Sequence, residues 1–246
     1  MVLGKKAHLI SVVMCSFNSA KFLQRALDSV CGQTLDSQYY EIVFIDDGST
    51  DESVEIVERY QQHSFFRYYR NKENRGLPFS CNKGIKNSYG EYVIRLDADD
   101  YFERDILEHF FKIVNKESFD LIYSDRFIED EQGETKKETS LEEFDIFNLI
   151  ACGVLLRKDI LEKIGGYRNF LWEEYDLYIR YMEASGKKPR YVPLPLYHYV
   201  MHADNMTISK QWNEQAWHQL VQEWGSEKLE KYGNLPAKLG SLKQAE

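Results

Sequence analysis

The sequence lacks paired cysteine motifs. Its four cysteines form no C-x-x-C pair, and their spacing matches neither a zinc site nor a disulfide framework. The pattern predicts reduced thiols that lie in the interior as small hydrophobic side chains. These residues are Cys15, Cys31, Cys81 and Cys152.

Positive charge is also scarce. Lysine and arginine total 31 against 40 aspartates and glutamates, which gives a formal net charge of -9. Proteins whose main partner is a nucleic acid usually have basic surfaces, so no nucleic-acid partner is expected. The overall field does not favour an anionic small molecule either, so a bound cation or a local basic cluster would have to attract one.

Long hydrophobic runs and phosphate-loop motifs are missing as well. No stretch approaches the ~20 apolar residues that cross a bilayer, and the run Leu9 to Cys15 is too short and too β-branched for a signal peptide. We therefore expect a cytoplasmic protein and leave open a peripheral attachment to the inner face of the membrane. The absence of G-x-G-x-x-G and G-x-x-x-x-G-K-S/T argues against a Rossmann dinucleotide site and a P-loop.

Apolar periodicity alternates between strand and helix over the first half of the chain. Continuous apolar runs predict buried strands, and apolar residues three and four apart predict helices. Such alternation predicts an α/β fold with a mainly parallel, Rossmann-like sheet flanked by helices. The predicted strands span 9–16, 41–45, 65–69, 91–96 and 119–123; the predicted helices span 20–31, 76–89 and 106–114, and a further helix follows Ser49-x-x-Glu52, which resembles a capping box.

The second half of the chain is less regular. It predicts a hairpin that turns at 131–133, a charged and mobile segment over 135–145, a strand over 151–156 and strands within 189–199, with helices over 158–164, 176–184 and 210–232. The last helix has an apolar stripe that includes Trp212, Ala216, Leu220 and Trp224. Packing against the rest of the chain is the default interpretation of this stripe. A homodimer contact or a membrane-surface contact is the alternative.

Polar residues follow three of the predicted strands. Because ligands of parallel sheets bind outside the carboxyl ends of the strands, we expect these residues to share one edge. They are Ser16-Phe17-Asn18, Asp46-Asp47 and Asp97-Ala98-Asp99.

Asp97 and Asp99 form an Asp-x-Asp pair at a strand end. Residues two apart point to the same side of an extended segment, so the two carboxylates could hold Mg²⁺ or Mn²⁺ against a diphosphate. The structural alternative is an acidic turn that caps the helix beginning near Glu103. The other polar strand ends favour the metal site.

Other acidic residues and a histidine are candidates, each with a structural alternative. Asp46 or Asp47 could accept a hydrogen bond from a nucleobase, or could only order its turn. Glu173 and Glu174 could supply a general base, or could favour the positive end of a helix dipole. His202 could bind the metal or a phosphate, although a lone histidine is more often structural.

A basic cluster surrounds the third predicted helix. It could supply local positive charge for a diphosphate, although a solvated helix face is the more common reason for such a pattern. Its members are Arg70, Lys72, Arg75, Lys83 and Lys86.

Together these motifs resemble the bacterial family 2 glycosyltransferases with the GT-A fold. The resemblance extends over residues 8 to 206 and rests on the segments at 11–18, 44–51, 74–77, 82–85, 90–100 and 172–177. It implies an inverting transferase with a nucleotide-sugar donor, usually a UDP-sugar, and Mn²⁺ or Mg²⁺. It also implies a glycan, lipid-linked or protein acceptor in cell-surface glycan synthesis.

The resemblance implies residue roles by position. Glu174 is the implied base, beside Glu173. Asp99 is the implied metal ligand, with Asp97 at the ribose or the metal's water shell and His202 at the metal or a phosphate. The donor pocket would comprise Ser16, Phe17, Asn18 and Asp47, with Asp47 on the base. Asp46, from its place beside Asp47, and Lys83, from the basic cluster, are further candidates for binding the donor.

Two departures from the family pattern matter. Phe79-Ser80-Cys81-Asn82 stands where the family usually has Ala-Ala-Arg-Asn, so one diphosphate contact is missing. Glu174 stands where the family has aspartate, which places the acceptor hydroxyl further out. A nucleotidyltransferase and a non-catalytic sugar-nucleotide binding module are the rival hypotheses. The first would need a Gly- and Arg/Lys-rich loop after the first strand, which is missing, and the intact carboxylate set argues against the second.

The expected organisation has two parts. A glycosyltransferase domain would span residues 1–206, with a nucleotide-binding half over 8–100 and an acceptor half over 101–206. A C-terminal helical extension would span residues 207–246.

Overall fold

The computed structural model describes residues 9–130, 134–138, 144–203, 205 and 209–233. The strands in this part are β1 (Ile10–Ser16), β2 (Tyr40–Asp46), β3 (Phe66–Arg70), β4 (Tyr92–Asp97), β5 (Tyr101–Phe102), β6 (Leu121–Glu129), β7 (Thr135–Glu138), β8 (Leu155–Arg157) and β9 (Arg190–Val200). The helices are α1 (Ala20–Cys31), α2 (Ser53–Glu58), α3 (Leu77–Asn87), α4 (Ile106–Lys116), α5 (Lys158–Lys163), α6 (Glu173–Ser185), α7 (Lys210–Trp224) and α8 (Ser226–Leu229).

The strands form one sheet in the order β3-β2-β1-β4-β8-β6-β9-β5, and β7 pairs with β6 outside this path. Strands β3, β2, β1 and β4 are parallel neighbours, as the strand-helix alternation predicts. The other half is mixed. Strand β8 runs antiparallel to β4 and β6, β6 and β9 are parallel, and β5 runs antiparallel to β9. The α/β fold class with helices around the sheet is confirmed.

Two hydrophobic cores lie on opposite faces of the sheet. Strand β1 contributes to both, because alternate residues of a strand point to opposite sides: Val12 and Met14 belong to one core, and Val13 and Cys15 to the other. Helices α1, α2 and α4 cover the first core, and α3, α5, α6 and α7 cover the second. Each large aliphatic side chain buried in this way contributes about 1.5–3 kcal/mol.

The apolar stripe of α7 packs against the second core. Ala216 and Leu220 are fully buried, and Trp212 and Trp224 are partly buried against the same cluster. This arrangement is the default interpretation of the stripe. The helix ends at Trp224, earlier than predicted, because Gly225 takes a φ of 71°, which lies outside the helical region.

Several boundaries differ from the sequence predictions. Helix α6 begins at Glu173, three residues early, and the short strand β5 is too brief for periodicity to reveal. Strand β7 pairs antiparallel with β6, as the predicted hairpin requires, so the start of the segment predicted to be mobile is in a strand. The predicted turn at 131–133 lies outside the described residues.

The predicted capping box before α2 is wrong. Ser49 Oγ accepts a hydrogen bond from the amide of Asn18 at 3.0 Å instead of capping the helix. Asp51 Oδ1 accepts from the amide of Ser53 at 3.1 Å and orders the start of α2. Ser49 therefore ties the end of β1 to the turn after β2.

None of the helices in the described ranges combines the length and the apolar composition that crossing a bilayer demands.

Candidate active site

The polar strand ends meet at one edge of the sheet. In the parallel ladders Ser16 pairs with Asp46, and Cys15 pairs with Asp97. Neighbouring strands lie about 4.8 Å apart, so three strand ends are side by side. The sequence prediction that these groups converge is correct for β1, β2 and β4.

Arg95 connects two of the candidate carboxylates. It lies on β4, two residues before Asp97 and therefore on the same face of the strand. Its Nε and Nη2 donate to the two oxygens of Asp97 at 2.7 and 2.9 Å, and its Nη1 donates to Glu173 Oε1 at 2.9 Å. The guanidinium is thus a rigid link between the end of β4 and the start of α6.

The electrostatics of Arg95 follow from this arrangement. Burial alone would lower the pKa of Arg95, but the charge of Asp97, with Glu173 and other neighbours, outweighs it and raises the pKa well above the usual value. The guanidinium therefore stays charged. Arg95 was not identified as functional from the sequence, although a charged residue inside an apolar strand was the available signal.

Glu174 follows Glu173 in the sequence but is not bonded to Arg95. It occupies the second position of α6 and is half-buried, and no ion pair with another described residue engages its carboxylate. Burial, and next the negative charge of Glu173, raise the pKa of Glu174 to about 8. Glu173, by contrast, is buried and bound to Arg95. Of the two glutamates, Glu174 is therefore the one placed to exchange a proton near neutral pH.

Asp99 and His202 form a contacting pair. Asp99 Oδ2 lies 3.0 Å from His202 Nε2, and the Asp99 side chain keeps 31% of its surface exposed. The imidazole stacks on Phe22 of α1 with the ring centroids 4.4 Å apart. Burial and the charge of Asp97 raise the pKa of Asp99, although the His202 contact lowers it.

Asp100 has a structural role. It is buried, and it accepts from the amide of Val200 at 2.9 Å and from the hydroxyl of Tyr197. Burial raises its pKa well above the usual value. Atoms of Asp97, Asp100 and Cys152 that could bind a metal lie within 4.8 Å of one another. Two of these residues are already engaged, because Cys152 Sγ accepts a hydrogen bond from the amide of Asp97 and Asp100 accepts one from the amide of Val200 on β9. The predicted alternative, in which this acidic turn caps the next helix, is wrong, because Asp105 is the N-cap residue of α4.

The residues after β1 lie at the same edge. Phe17 is 44% exposed, whereas Ser16 is buried and its Oγ has no partner among the described residues. Asn18 takes a positive φ of 51°, and its Oδ1 accepts from the amide of Thr50 at 2.8 Å. This segment therefore presents one exposed aromatic ring on a backbone that the β2 turn holds in place.

The two aspartates after β2 have different contacts. Asp46 orders its own turn by accepting from the amide of Ser49 at 2.8 Å, and it pairs with Arg70 at 3.0 Å. Asp47 accepts from the Asn71 side chain at 2.6 Å and from the amides of Arg75 and Gly76 at 3.0 and 2.8 Å. Both carboxylates are therefore engaged within the protein, and Asp47 holds the loop that leads into α3.

The basic cluster is only partly directed at the site. Lys83 Nζ donates to Asn71 Oδ1 at 2.6 Å and to the Arg70 carbonyl at 3.2 Å. The guanidinium of Arg75 lies 4.4 Å from the ring centroid of Phe79, which is exposed. His198, which lies on β9, forms a hydrogen bond with Glu103 and stacks on Tyr101, which fits a structural role.

Helix α3 is joined to the chain that precedes α6. Asn82 Nδ2 donates to the carbonyl of Tyr167, and Asn82 Oδ1 accepts from the amide of Tyr167, both at 2.8 Å. Gly166 is required there, because it has a φ of 69° and a Cβ on it would lie 2.1 Å from Asn82 Oδ1.

This sheet, flanked by helices and with polar strand ends at one edge, is similar to the GT-A fold of glycosyltransferases. The family model described as "Glycosyl transferase family 2" matches residues 11–171, well over half of the chain, so the chain belongs to glycosyltransferase family 2. The matched region ends just before Glu173.

Curated relatives cover different parts of the chain. The chain is 39% identical to a cholesterol galactosyltransferase of Borreliella burgdorferi over 120 residues, which are 48% of this chain and 33% of the relative. It is 29% identical to the poly(ribitol-phosphate) beta-N-acetylglucosaminyltransferase TarP of Staphylococcus aureus over 167 residues, which are 63% of this chain and 50% of the relative. The chain thus spans one third to one half of the length of these two proteins.

Solved structures share the fold. Staphylococcus aureus TarS in complex with UDP-GlcNAc superposes with a TM-score of 0.69 at 19% identity, over 82% of this chain and 61% of that one. The mannosyltransferase PcManGT of Pyrobaculum calidifontis, in complex with GDP-Man and Mn²⁺, gives 0.67 at 16% identity, over 97% and 68%. At these identities the likeness concerns the fold alone.

Proposed function

We propose that the chain transfers a sugar from a nucleotide-sugar, most simply a UDP-sugar, to an acceptor hydroxyl with inversion at the anomeric carbon. The observation that carries this proposal is the bridge from Arg95 to both Asp97 and Glu173. This bridge joins the end of β4, which would face the donor, to the first turn of α6. That turn carries Glu174, whose pKa is raised. Family membership and the UDP-GlcNAc complex of TarS support the donor class.

The donor pocket lies along the ends of β1 and β2. The exposed ring of Phe17 offers a stacking surface for a nucleobase, and Ser16 Oγ is a hydroxyl without a partner in the described residues. Asp47 already accepts three hydrogen bonds, so its contact with the base would use the remaining lone-pair capacity of the carboxylate.

The residues present fit a divalent cation at Asp99 and His202. The donor set contains carboxylate oxygen and imidazole nitrogen 3.0 Å apart, which suits Mn²⁺ and, through the oxygens, Mg²⁺. Burial and, next, the charge of Asp97 raise the pKa of Asp99, so a nearby cation would favour its ionised form. A cation held there would neutralise the charge that develops on the departing diphosphate. Asp97, bound by Arg95 at both oxygens, would act through the ribose or a metal-bound water.

Glu174 is the proposed general base. The hydroxyl oxygen of the acceptor attacks the anomeric carbon while its proton passes to a Glu174 carboxylate oxygen. The bond from the anomeric carbon to the diphosphate oxygen breaks, and the electron pair leaves with the nucleoside diphosphate. Glu173 and Arg95 take no proton; they hold the first turn of α6 in place.

We further propose a role in cell-surface glycan synthesis, with a glycan, lipid-linked or protein acceptor. Two relatives, a cholesterol galactosyltransferase and a poly(ribitol-phosphate) beta-N-acetylglucosaminyltransferase, support this proposal. The chain would act in the cytoplasm or at the inner face of the membrane.

A binding and turnover screen tests the proposal. UDP-galactose, UDP-GlcNAc and GDP-mannose are each tested with and without Mn²⁺ for a thermal shift and for release of the nucleoside diphosphate, with water as the acceptor. The proposed transferase gives both signals for at least one sugar. Binding without release would identify a binding module, and release of pyrophosphate from a nucleoside triphosphate would identify a nucleotidyltransferase.

A further inference from the structure

Helix α7 lies outside the region that the family model matches, yet it contacts the segment that carries the proposed base. This segment, residues 168–176, begins after the α5 turn and includes Glu173 and Glu174. Three contacts join the segment 168–176 to the second half of α7. They lie on both sides of the two glutamates.

On the N-terminal side of the glutamates, two residues of the segment are bonded to α7. Gln219 Oε1 accepts from the backbone amide of Leu171 at 2.9 Å. Glu223 Oε1 pairs with Arg168 Nη1 at 2.9 Å. Leu171 is only three residues before Glu174, so its amide is a direct backbone constraint on the start of α6.

On the C-terminal side, the contact passes through Asp176. This carboxylate is fully buried, and its Oδ1 accepts from Trp224 Nε1 at 3.2 Å. Its other partners are the guanidiniums of Arg168 and Arg180. Trp224 thereby joins a network that connects α7, the segment before α6 and α6 itself.

Aromatic rings complete the contact. Trp172, the N-cap residue of α6, meets Trp212 of α7 edge-on with the ring centroids 6.3 Å apart. Trp172 also meets Tyr175 at 5.4 Å. Trp172, directly before Glu173, therefore packs between α7 and the first turn of α6.

We propose that α7 is a positioning element for the reaction: Gln219 and Trp224 hold the segment 168–176 at both ends and so fix where Glu174 meets the acceptor hydroxyl. This inference rests on the proposed function. Gln219 and Trp224 are positioning residues in this proposal, because they would act through Leu171 and Asp176. Catalytic geometry is sensitive to displacements of about 1 Å, so a loosened segment 168–176 should lower the rate.

The test compares three glutamine variants on α7. Gln219→Ala removes the acceptor for the Leu171 amide, Gln219→Glu keeps an acceptor oxygen, and Gln222→Ala changes an exposed glutamine one turn away. Each variant is assayed for Kd of UDP with Mn²⁺, for kcat and KM of nucleotide release from the sugar that the wild type turns over, and for amide hydrogen exchange. Trp224→Phe, which loses the indole N–H and keeps an aromatic ring, tests the other end.

The expected result is a split between chemistry and donor binding. In Gln219→Ala and Trp224→Phe, kcat falls about ten-fold or more while the UDP Kd and the donor KM stay within about two-fold. Exchange accelerates in peptides that cover 168–176, but not in those that cover 10–18. Gln219→Glu restores most of kcat, and Gln222→Ala behaves as the wild type.

Other results would overturn the inference. An unchanged kcat in both variants shows that α7 only adds stability, and a parallel loss of UDP binding and kcat shows a general disturbance of the fold. Both outcomes require an active wild type. A wild type that releases no nucleotide from any sugar defeats the proposed function itself, and the positioning role falls with it.

Discussion

Arg95 Nη1 lies 2.9 Å from Glu173 Oε1, although the two residues are 78 positions apart in the sequence. Both side chains are buried, and the same guanidinium holds Asp97. Removing one member of a buried ion pair typically costs ~3–5 kcal/mol, because the partner charge is left uncompensated. The pair therefore fixes the distance between the strand end and the helix turn that the proposed reaction uses.

Arg95→Lys should be destabilising and nearly inactive. A lysine offers one compact ammonium and cannot contact both oxygens of Asp97 and Glu173 at once. We expect the melting temperature to fall by several degrees and kcat to fall by about ten-fold or more. Circular dichroism melting and nucleotide release measure these two effects. Arg190→Lys, an exposed change on β9, is the control; equal behaviour of the two variants would contradict the bridging role.

The rate should rise with pH through neutrality. Because the base must be ionised and the pKa of Glu174 is raised to about 8, kcat/KM should increase from pH 6 and level off above about pH 8. The charge of Glu173 contributes to this raised pKa, so Glu173→Gln should move the rise to lower pH. A pH-rate profile with saturating Mn²⁺ measures both. A profile that is flat from pH 6 to pH 8 rules out Glu174 as the titrating base.

Glu174→Gln should abolish turnover and stabilise the fold at alkaline pH. A carboxyl group whose pKa is raised from 4.5 to about 8 on folding contributes its full stability below its unfolded pKa and loses it as pH rises through the folded pKa. Glu174 is half-buried and keeps some contact with solvent, which reduces the effect to about 1–2 kcal/mol. The variant should therefore melt ~2–8 °C above the wild type at pH 9 and near it at pH 5.

The UDP affinity of the same variant should be unchanged. Calorimetric titration measures this, and Glu183→Gln at the exposed end of α6 is the matched control for both readouts. Near-normal turnover by Glu174→Gln would show that the base lies elsewhere.

Asp99→Asn should remove the response to the cation. The substitution keeps the size of the side chain and removes the charge that the cation and His202 share. We expect the thermal shift with Mn²⁺ and UDP to be lost, since stabilisation by a ligand grows as RT ln(1 + [L]/Kd). Asp105→Asn, at the N-cap of α4, should keep the full shift. A normal shift in Asp99→Asn would remove this residue from the cation site.

The cysteines should react slowly in the folded protein. Burial raises the pKa of Cys31 to about 12, and Cys152 is raised well above the usual value. The thiolate is the reactive form, so a thiol reagent at pH 8 should modify both slowly, and all four cysteines rapidly in denaturant. Rapid modification of Cys152 in the native protein would contradict its buried position against the backbone amide of Asp97.

The parallel half of the sheet was accessible to sequence reasoning because its strands carry uninterrupted apolar runs. Residues 10–16 and 40–46 are buried at every position, and α1 buries four residues at helical spacing. The mixed half was accessible only in part: strands were predicted over 119–123, 151–156 and within 189–199, but β5 and the antiparallel pairing of β8 were not predicted. Strand β8 has three residues and β5 has two, and such short elements are recognised only through their partners.

The site was predictable as a set of residues but not as a network. Sequence motifs pointed to Asp99, His202 and the two glutamates, and the structure shows Asp99 in contact with His202 and Glu173 joined to Asp97 through Arg95. The sequence does not reveal which carboxylate is engaged, because partners such as Arg95 and Asn71 come from distant positions. Asp47 illustrates this: its three donors lie 24 to 29 residues downstream.

The paired bonds between Asn82 and Tyr167 limit how the molecule can open. An opening movement that separates α3 from the segment before Glu173 would have to break both bonds. Gly166 packs so closely against Asn82 that a Cβ there would lie 2.1 Å from Asn82 Oδ1. Breaking two such part-buried bonds together costs about 1–3 kcal/mol each, so such opening is disfavoured. We therefore expect the proposed donor to enter, and the proposed nucleotide product to leave, along the rim of the sheet.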